Sequence, residues 1–206
     1  MQAITKYFPE LSDEQRRQFE GLLTLYPEWN EKINVISRRD IENLEVNHIL
    51  HSLSIARYIN FTAGTRVLDF GAGGGFPSVP LAVMFPQVHF HLIDRIGKKL
   101  RVAIDVASRV GLTNVSVQHG DVKEVKGKFD FVVSRAVMPL AETVPLVRRL
   151  ISKEFNNSLP NGLICLKGGD LKDEIAPYRK SILVDDISNY FDEEFFSTKK
   201  IIYLPL

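Results

Sequence analysis

The chain has 206 residues, 45% of them hydrophobic, so it is long enough and apolar enough to bury a core. Its 26 basic and 25 acidic side chains nearly cancel, which excludes a global field that would draw the protein onto nucleic acid. The single cysteine, Cys165, excludes a disulfide framework and a cysteine-based metal site.

An amphipathic helix is predicted over residues 12–29. Ser12 is a suitable N-cap, and the apolar residues that follow recur at helical spacing: Phe19, Leu22, Leu23 and Tyr26. Pro27 is expected to end or bend this helix. A second helical pattern covers residues 41–59, and neither segment alternates as a strand would. Residues 1–60 are therefore expected to form a helical cap.

Residues 61–206 are predicted to form one compact domain, in which short β-rich runs alternate with helical stretches. The predicted strands span residues 65–70, 88–94, 115–119, 129–134 and 162–167. Helical patterns between the strands cover residues 79–85, 98–110 and 140–151. This alternation predicts a parallel sheet with helices on both faces.

Two further strands are predicted over residues 181–187 and 199–204, with no convincing helix between them. They should pair as an antiparallel hairpin. Seven strands ending in such a hairpin are typical of class I S-adenosylmethionine methyltransferases, whereas a dinucleotide-binding Rossmann sheet normally keeps its strands parallel. The predicted fold is therefore an α/β, Rossmann-like sheet of seven strands, mainly parallel, with an antiparallel C-terminal hairpin.

A glycine-rich loop over residues 69–77 closes the first predicted strand and opens a helix. Glycine lets the backbone turn sharply and lets a ligand approach the main chain, so Gly71 and Gly73 are candidate cofactor contacts. A dinucleotide loop would have a third glycine at the position of Phe76. The loop therefore favours a nucleoside and amino acid cofactor, S-adenosyl-L-methionine, over one that carries a pyrophosphate.

Three aspartates follow three successive predicted strands beside this loop. Asp69 is suited to the cationic amino acid end of the cofactor, Asp94 to both ribose hydroxyls, and Asp121 to the adenine edge. An aspartate after a strand is more often a simple cap or turn residue. Because all three are in register behind the glycine-rich loop, we interpret them as parts of one cofactor site.

Several motifs between residues 29 and 167 are more specific than a glycine-rich loop. They are Trp29-Asn30, His48-Ile49-Leu50 with Ser52-Leu53, Phe76-Pro77, Val79-Pro80, Ser134-Arg135-Ala136 and Leu166-Lys167-Gly168. In these motifs the chain resembles the ribosomal RNA small-subunit methyltransferases that modify guanine N7, the glucose-inhibited division protein B family. The resemblance implies that four features contact the methyl donor: Gly71, Phe76, the Val122-Lys123 segment and Arg135.

Two positions differ from the family pattern. His51 replaces the acidic residue of the family's H-I-L-D-S-L motif, so the role of that carboxylate is open here. The segment after the third strand differs from the family's G-R-A-E, which leaves open whether Asp121, Val122 or Lys123 frames the adenine. The family motif also places His48 near the active face, while the histidines show no metal-ligand spacing.

The resemblance implies a guanine of 16S ribosomal RNA as the substrate, either in the RNA or in an assembling small ribosomal subunit. Guanine N7 carries an unprotonated lone pair, so its attack on the activated methyl group requires no general base. Arg135 is the candidate catalytic residue, because arginine can orient guanine through its O6 and N7 acceptors. There are three alternatives. One is a methyltransferase of small molecules or proteins, and another is a nucleotide-binding oxidoreductase, which Phe76 and the hairpin disfavour. The third is a degenerate fold that binds RNA without catalysis, against which the intact glycine-rich loop argues.

RNA binding by a nearly neutral chain has to come from local basic clusters. The candidates are Arg38-Arg39, Lys98-Lys99-Arg101, Arg148-Arg149 and Lys199-Lys200. Lys199 is expected on a hairpin far from the target base. The first residues lack a signal-peptide pattern and no apolar run is of membrane-spanning length, so we expect a cytoplasmic monomer without a membrane partner.

Overall fold

A seven-stranded sheet forms the centre of the protein, whose computed structural model describes residues 1–135 and 137–206. The last residue of the Ser134-Arg135-Ala136 motif therefore lies outside the described residues. The strands are β1 (Arg66–Phe70), β2 (His89–Asp94), β3 (Val115–His119), β4 (Phe131–Arg135), β5 (Gly162–Gly168), β6 (Leu183–Asp186) and β7 (Lys199–Pro205).

The strand order is β3-β2-β1-β4-β5-β7-β6. Neighbouring strands from β3 to β5 pair in parallel, while β7 runs antiparallel to both β5 and β6. The chain between β6 and β7 forms two short 3₁₀ turns, Ile187–Asn189 and Glu194–Thr198. The predicted antiparallel pairing of the last two strands is confirmed, and with it the predicted α/β fold class.

Helices cover both faces of the sheet. They are α1 (Gln2–Tyr7), α2 (Asp13–Asn30), α3 (His51–Tyr58), α4 (Ser78–Met84), α5 (Gly97–Arg109), α6 (Leu140–Val147) and α7 (Lys172–Ile175). Apolar side chains of α2, α3, α4 and α5 share one buried cluster on one face, and α6 packs into a second cluster on the other. The helices before residue 60 thus share a core with α4 and α5, and the division at residue 60 stays a prediction.

Helix α2 begins where the sequence predicts. The Ser12 hydroxyl accepts a hydrogen bond from the Gln15 amide, and the Gln15 side chain accepts one from the Ser12 amide, which completes a capping box. Pro27 does not end the helix, which continues to Asn30. In the last turn the Trp29 indole donates to Asp105 Oδ2 at 2.7 Å, which holds this end of the helix against α5.

The second predicted helical stretch is confirmed, but its geometry is mixed. A 3₁₀ turn (Ile41–Asn43) leads into a wide π-helical segment (Leu44–Leu50), and α3 follows directly. Helix α1, which the sequence analysis did not predict, precedes α2. The π-helical segment contains His48, and such segments are often found at functional sites. Within the described residues, no helix is both long and apolar enough to cross a membrane.

A buried amide fixes the end of α4 against the sheet. The Asn114 Nδ2 group lies within 3.0 to 3.2 Å of the carbonyl oxygens of Ala82, Phe85 and Val88. These carbonyls belong to the end of α4 and the turn before β2. Because α4 starts directly after the glycine-rich loop, this contact also helps to hold that loop in place.

We expect Asn114→Ala to lower the free energy of unfolding by about 1–3 kcal/mol, because buried carbonyls lose their donor. Urea denaturation measures the change. The matched control is Asn189→Ala, which removes an exposed hydrogen bond to Asp185 and should change stability by less than about 0.5 kcal/mol. Equal losses in the two variants would contradict the assigned role of Asn114.

Candidate functional site

A cavity of about 490 Å³ opens at the carboxyl edge of the parallel strands. Its wall includes the glycine-rich loop, the ends of β2 and β4, and the turn after β3. Its lining residues include Gly71, Gly73, Asp94, Ile96, Lys99, Val122 and Arg135. Ligands of open α/β sheets bind at this edge, so the fold places the cavity where a cofactor is expected.

The loop turns back on β2 through glycines in the left-handed region. Gly71 has φ +73° and its amide donates to Ile93 O at 3.0 Å. A Cβ atom on Gly71 would lie 2.5 Å from Val137 Cγ2, so only glycine fits. Gly73 has φ +55°, and the nearest described neighbour of a Cβ atom there would be Lys99 Cδ at 3.9 Å. The backbone at Gly73 is therefore open toward the cavity.

Asp94 joins the loop to the start of α5. Its Oδ2 accepts a hydrogen bond from the Gly73 amide at 2.7 Å, and its Oδ1 accepts one from the Ile96 amide at 2.7 Å. Each carboxylate oxygen can accept a further hydrogen bond. Asp94 therefore shapes the cavity and also presents acceptors to it, in agreement with its predicted place.

Asp69 lies behind the loop and not in the cavity wall. The side chain is fully buried, and Oδ2 accepts a hydrogen bond from the Ser78 amide at 3.1 Å. Burial raises the pKa of Asp69 to about 7, although the Ser78 bond and Arg135 act in the opposite direction. This position anchors the first turn of α4 and shields the carboxyl from the cavity.

The structure separates the three residues proposed to frame the adenine. Asp121 caps the turn Val122–Glu124, accepts a hydrogen bond from the Lys123 amide and forms an ion pair with Arg95. The Val122 side chain is buried and lies in the cavity wall, whereas Lys123 is exposed. Of the three, Val122 has the position of a contact to a flat ring.

Arg135 is the last residue of β4, and its half-buried side chain reaches the cavity. The guanidinium carbon lies 4.9 Å from the centroid of the Phe76 ring. Burial lowers the pKa of Arg135 to about 10, so the group is charged at neutral pH. The ring of Phe76 provides a face on which the cation rests.

Phe76 lies under the Arg135 side chain and does not line the cavity. Its ring is buried and packs 4.5 Å from the Tyr26 ring. The Tyr26 hydroxyl donates to Gly74 O at 2.8 Å. A side chain of α2 thus holds both the loop and the ring on which Arg135 lies.

Asp40, which was not among the site residues predicted from the sequence, joins this site through His48. His48 Nε2 lies 2.6 Å from Asp40 Oδ2, and His48 Nδ1 lies 3.1 Å from Arg135 Nη2. Burial, and next the charge of Arg135, lower the pKa of His48 to about 4, so the imidazole is neutral. Asp40 lies in a polar loop without periodicity. Its spacing of eight residues before His48 was the one available signal.

A second cavity, of about 480 Å³, opens elsewhere on the sheet. Its wall contains Arg66 and His89, the first residues of β1 and β2, so it reaches the amino edge of the strands. There Arg66 and His91 lie over the Phe129 ring and cover it. Among residues 1–135 and 137–206, no group of histidine, cysteine and acidic side chains is arranged to hold a metal.

Comparison with known proteins assigns this site to a family. The model of the GidB family, described as rRNA small subunit methyltransferase G, matches residues 15–202. The chain belongs to this family. The "Ribosomal RNA small subunit methyltransferase G" of Bacteroides fragilis is 55% identical over 206 residues and is covered over 100% of both chains. The protein of that name from Porphyromonas gingivalis is 56% identical, over 98% of this chain and 92% of its own.

A solved structure supports the fold independently. A SAM dependent methyltransferase from Aquifex aeolicus aligns with a TM-score of 0.57 over 83% of this chain and 100% of its own, with 14% sequence identity. At this identity the likeness concerns the fold alone. It agrees with a mainly parallel sheet that ends in an antiparallel pair.

The resemblance places His51 where the family motif has an acidic residue, and the structure shows the surroundings of this ring. The His51 ring is buried and forms T-shaped contacts with Phe195 and Phe196, at 5.4 and 6.0 Å between centroids. Burial, and next the charges of Arg135 and Lys199, keep the pKa of His51 well below its usual range. This chain therefore has a neutral ring at the family's acidic position.

The basic clusters differ in what their side chains already contact. Arg149 donates to the carbonyl oxygens of Val122, Lys123 and Val125, and Lys200 pairs with Asp186. These two cations are engaged within the protein. In contrast, Arg38 and Arg39 are exposed in the loop that ends at Asp40, and Lys99 lines the cavity.

The prediction that Lys199 lies on a hairpin far from Arg135, the residue expected beside the target base, is wrong. Lys199 pairs with Gly168, the last residue of β5, because β7 runs antiparallel to β5. The first residue of β7 therefore lies at the same sheet edge as Arg135. The Lys199 ammonium is 4.7 Å from the centroid of the Phe195 ring.

The raised pKa of Asp69 predicts that Asp69→Asn increases the free energy of unfolding by an amount that depends on pH. The unfolded carboxyl titrates near pH ~3.9, so between that pH and about 7 the folded protein binds more protons than the unfolded chain. Wild-type stability then falls as the pH rises through this window. Relative to wild type, Asp69→Asn should gain about 2–4 kcal/mol of unfolding free energy between pH 4 and 8.

Urea denaturation of both proteins over a pH series measures this gain. Asp130→Asn is the control, because Asp130 is a half-buried aspartate that accepts a hydrogen bond from the Arg66 amide. A difference between Asp69→Asn and wild type that stays constant with pH would show that Asp69 is ionised in the folded protein throughout.

Proposed function

We propose that the chain transfers a methyl group from S-adenosyl-L-methionine to N7 of a guanine in 16S ribosomal RNA. Family membership over residues 15–202 supports the reaction and the RNA substrate. The observation that carries the proposal is that Arg135 faces the cavity which the glycine-rich loop encloses. A donor bound by the loop and a base held by Arg135 would meet in that cavity.

The cavity residues fit the cofactor. Ile96, whose side chain is 43% exposed, and the buried Val122 offer apolar surfaces for a purine ring. Asp94 presents carboxylate oxygens suited to two ribose hydroxyls. The open backbone at Gly73 leaves room for the amino acid part, which a side chain there would occupy. Asp69 acts indirectly in this proposal, by fixing the loop from behind.

The chemistry requires positioning more than acid or base catalysis. The bound cofactor supplies an activated methyl group, and guanine N7 supplies the lone pair. Arg135 orients the base through its acceptor edge before transfer, as arginine does with guanine elsewhere. After transfer the base is cationic, so the charge of Arg135 favours release. Burial, and next the charge of Arg135, keep His48 neutral, and it is not needed as a base.

The proposed RNA surface surrounds the mouth of the cavity. Arg38, Arg39, Lys99 and Lys199 contribute its charge, whereas Arg149 and Lys200 are engaged elsewhere. A small number of separate cations predicts RNA binding with a shallow salt dependence. In this proposal the enzyme works in the cytoplasm as a monomer, on 16S ribosomal RNA or on the assembling small subunit.

We expect Gly73→Val to abolish binding of S-adenosyl-L-methionine, because the new side chain would occupy the open side of the loop. The control is Gly64→Val, since Gly64 also has a positive φ, +82°, and a Cβ atom there would meet none of the described residues within 4 Å. Both variants place a β-branched residue in the left-handed region, so both should lose stability. Calorimetric titration and thermal unfolding should show loss of cofactor binding in Gly73→Val alone.

The proposed activity is tested by methyl transfer to small-subunit RNA and mapping of the modified base. Wild type should modify a guanine at N7, and Arg135→Ala should lower the rate by about a hundredfold or more with cofactor affinity little changed. Arg135→Lys, which keeps the charge but loses the planar fork, should recover little activity. Wild-type transfer to a small molecule or protein but not to RNA would overturn the proposal.

A series of salt concentrations in the same assay tests the proposed RNA surface. Replacing both Arg38 and Arg39 by alanine should reduce the magnitude of the slope of log K against log salt by about 1.4–1.8. Arg17→Ala removes an exposed cation on α2 and serves as the control. An equal reduction in both proteins would mean that RNA binding is diffuse.

A further inference from the structure

Four side chains form one continuous row of hydrogen bonds that ends at the cavity. Arg135 Nη2 lies 3.1 Å from His48 Nδ1, and His48 Nε2 lies 2.6 Å from Asp40 Oδ2. The other carboxylate oxygen, Asp40 Oδ1, accepts a hydrogen bond from Asn47 Nδ2 at 2.6 Å. The row connects an exposed loop before the π-helical segment with the end of β4.

The donor and acceptor roles in this row follow from the guanidinium. Arginine can only donate hydrogen bonds, so His48 Nδ1 has to be the unprotonated acceptor. The proton of the neutral ring then resides on Nε2, which donates to Asp40. The carboxylate of Asp40 thereby selects the one imidazole tautomer that can receive Arg135.

The surroundings leave the imidazole little freedom. The His48 side chain is 13% exposed, and its ring meets Phe76 edge to face at 5.5 Å between centroids. Phe76 also lies under the guanidinium of Arg135. The cation is therefore held on one side by the Phe76 ring and at one amino group by His48. Within residues 1–135 and 137–206, its other N–H groups have no hydrogen-bond partner, so they can serve a ligand.

We propose that Asp40 and His48 are positioning residues that aim the guanidinium of Arg135 at the target base. This inference deepens the proposed function and depends on it for the identity of the base. Asp40 fixes the tautomer of His48, and His48 fixes the rotation of the guanidinium about its last bonds. Neither residue touches the reacting atoms, and His48 neither gains nor loses a proton during transfer.

A purely structural role for Asp40 and His48 is the alternative to positioning. In that case the bond between His48 and Asp40 would serve to hold the loop against the π-helical segment, and the bond to Arg135 would be incidental. The two roles predict opposite orders for two substitutions at one position. His48→Asn places an acceptor near the Nδ1 position, and His48→Gln places a donor near the Nε2 position.

The test compares methyl transfer to small-subunit RNA for these variants. Positioning predicts that His48→Asn retains more kcat than His48→Gln, and that Asp40→Ala loses about ten- to a hundredfold in kcat with unchanged cofactor affinity. Asp40→Asn should recover most of this loss, because Asn47 can turn its amide to match the new side chain. A higher kcat for His48→Gln than for His48→Asn would overturn the proposal.

A double-mutant cycle adds a readout that a structural role would not affect. If His48 acts through Arg135, then His48→Gln should cause no further loss of kcat in an Arg135→Ala background. Independent, additive losses would overturn the proposal.

Nitrogen chemical shifts of the imidazole separate failure of this inference from failure of the proposed function. At neutral pH, ¹⁵N NMR of wild type should show His48 as the Nε2-protonated tautomer, and Asp40→Ala should produce a mixture. This measurement needs no substrate. A wild-type Nδ1-protonated or cationic ring overturns the positioning role whatever the substrate is. Absence of RNA methylation with the expected tautomer overturns the proposed function alone.

Discussion

A guanidinium that is half-buried at the end of a strand has to be matched by electron-rich groups, and this requirement connects the parts of the protein. The Phe76 ring comes from the glycine-rich loop, the nitrogen acceptor from His48 in the N-terminal helical segment, and the buried carboxyl of Asp69 from β1. Each group lies on a different element. The position of Arg135 is therefore fixed only when the loop, the π-helical segment and the sheet are assembled together.

Asp94 also combines two roles, because one carboxylate orders the glycine-rich loop and presents acceptors to the cavity. Two backbone amides already donate to it, and these bonds give the loop its path beside β2. A ligand that binds the remaining acceptor positions would meet a group that is already oriented. Such a preformed acceptor lowers the entropic cost of binding, since neither the carboxylate nor the loop has to be ordered at that moment.

Periodicity and strand-end residues were sufficient to predict the seven strands, the terminal antiparallel pair and the places of Gly71, Gly73 and Asp94. They were not sufficient to predict which side chains are buried or how the strands are ordered in the sheet. A strand-end aspartate has the same sequence signature whether it faces a cavity or a core, so the buried place of Asp69 was not predictable. Lys199 lies at the carboxyl edge of the parallel strands because β7 inserts between β5 and β6, an order that local sequence does not encode.

The contacts between α2 and the glycine-rich loop have a consequence for engineering. The Tyr26 hydroxyl binds Gly74 O, and a Cβ atom on Gly74 would lie 2.7 Å from Val35 Cβ. The N-terminal segment therefore packs closely against the loop, and the two segments have to fit each other. A chimera that joins this sheet to the leading segment of another methyltransferase would need a matched loop as well, so the leading segment cannot be exchanged without the loop.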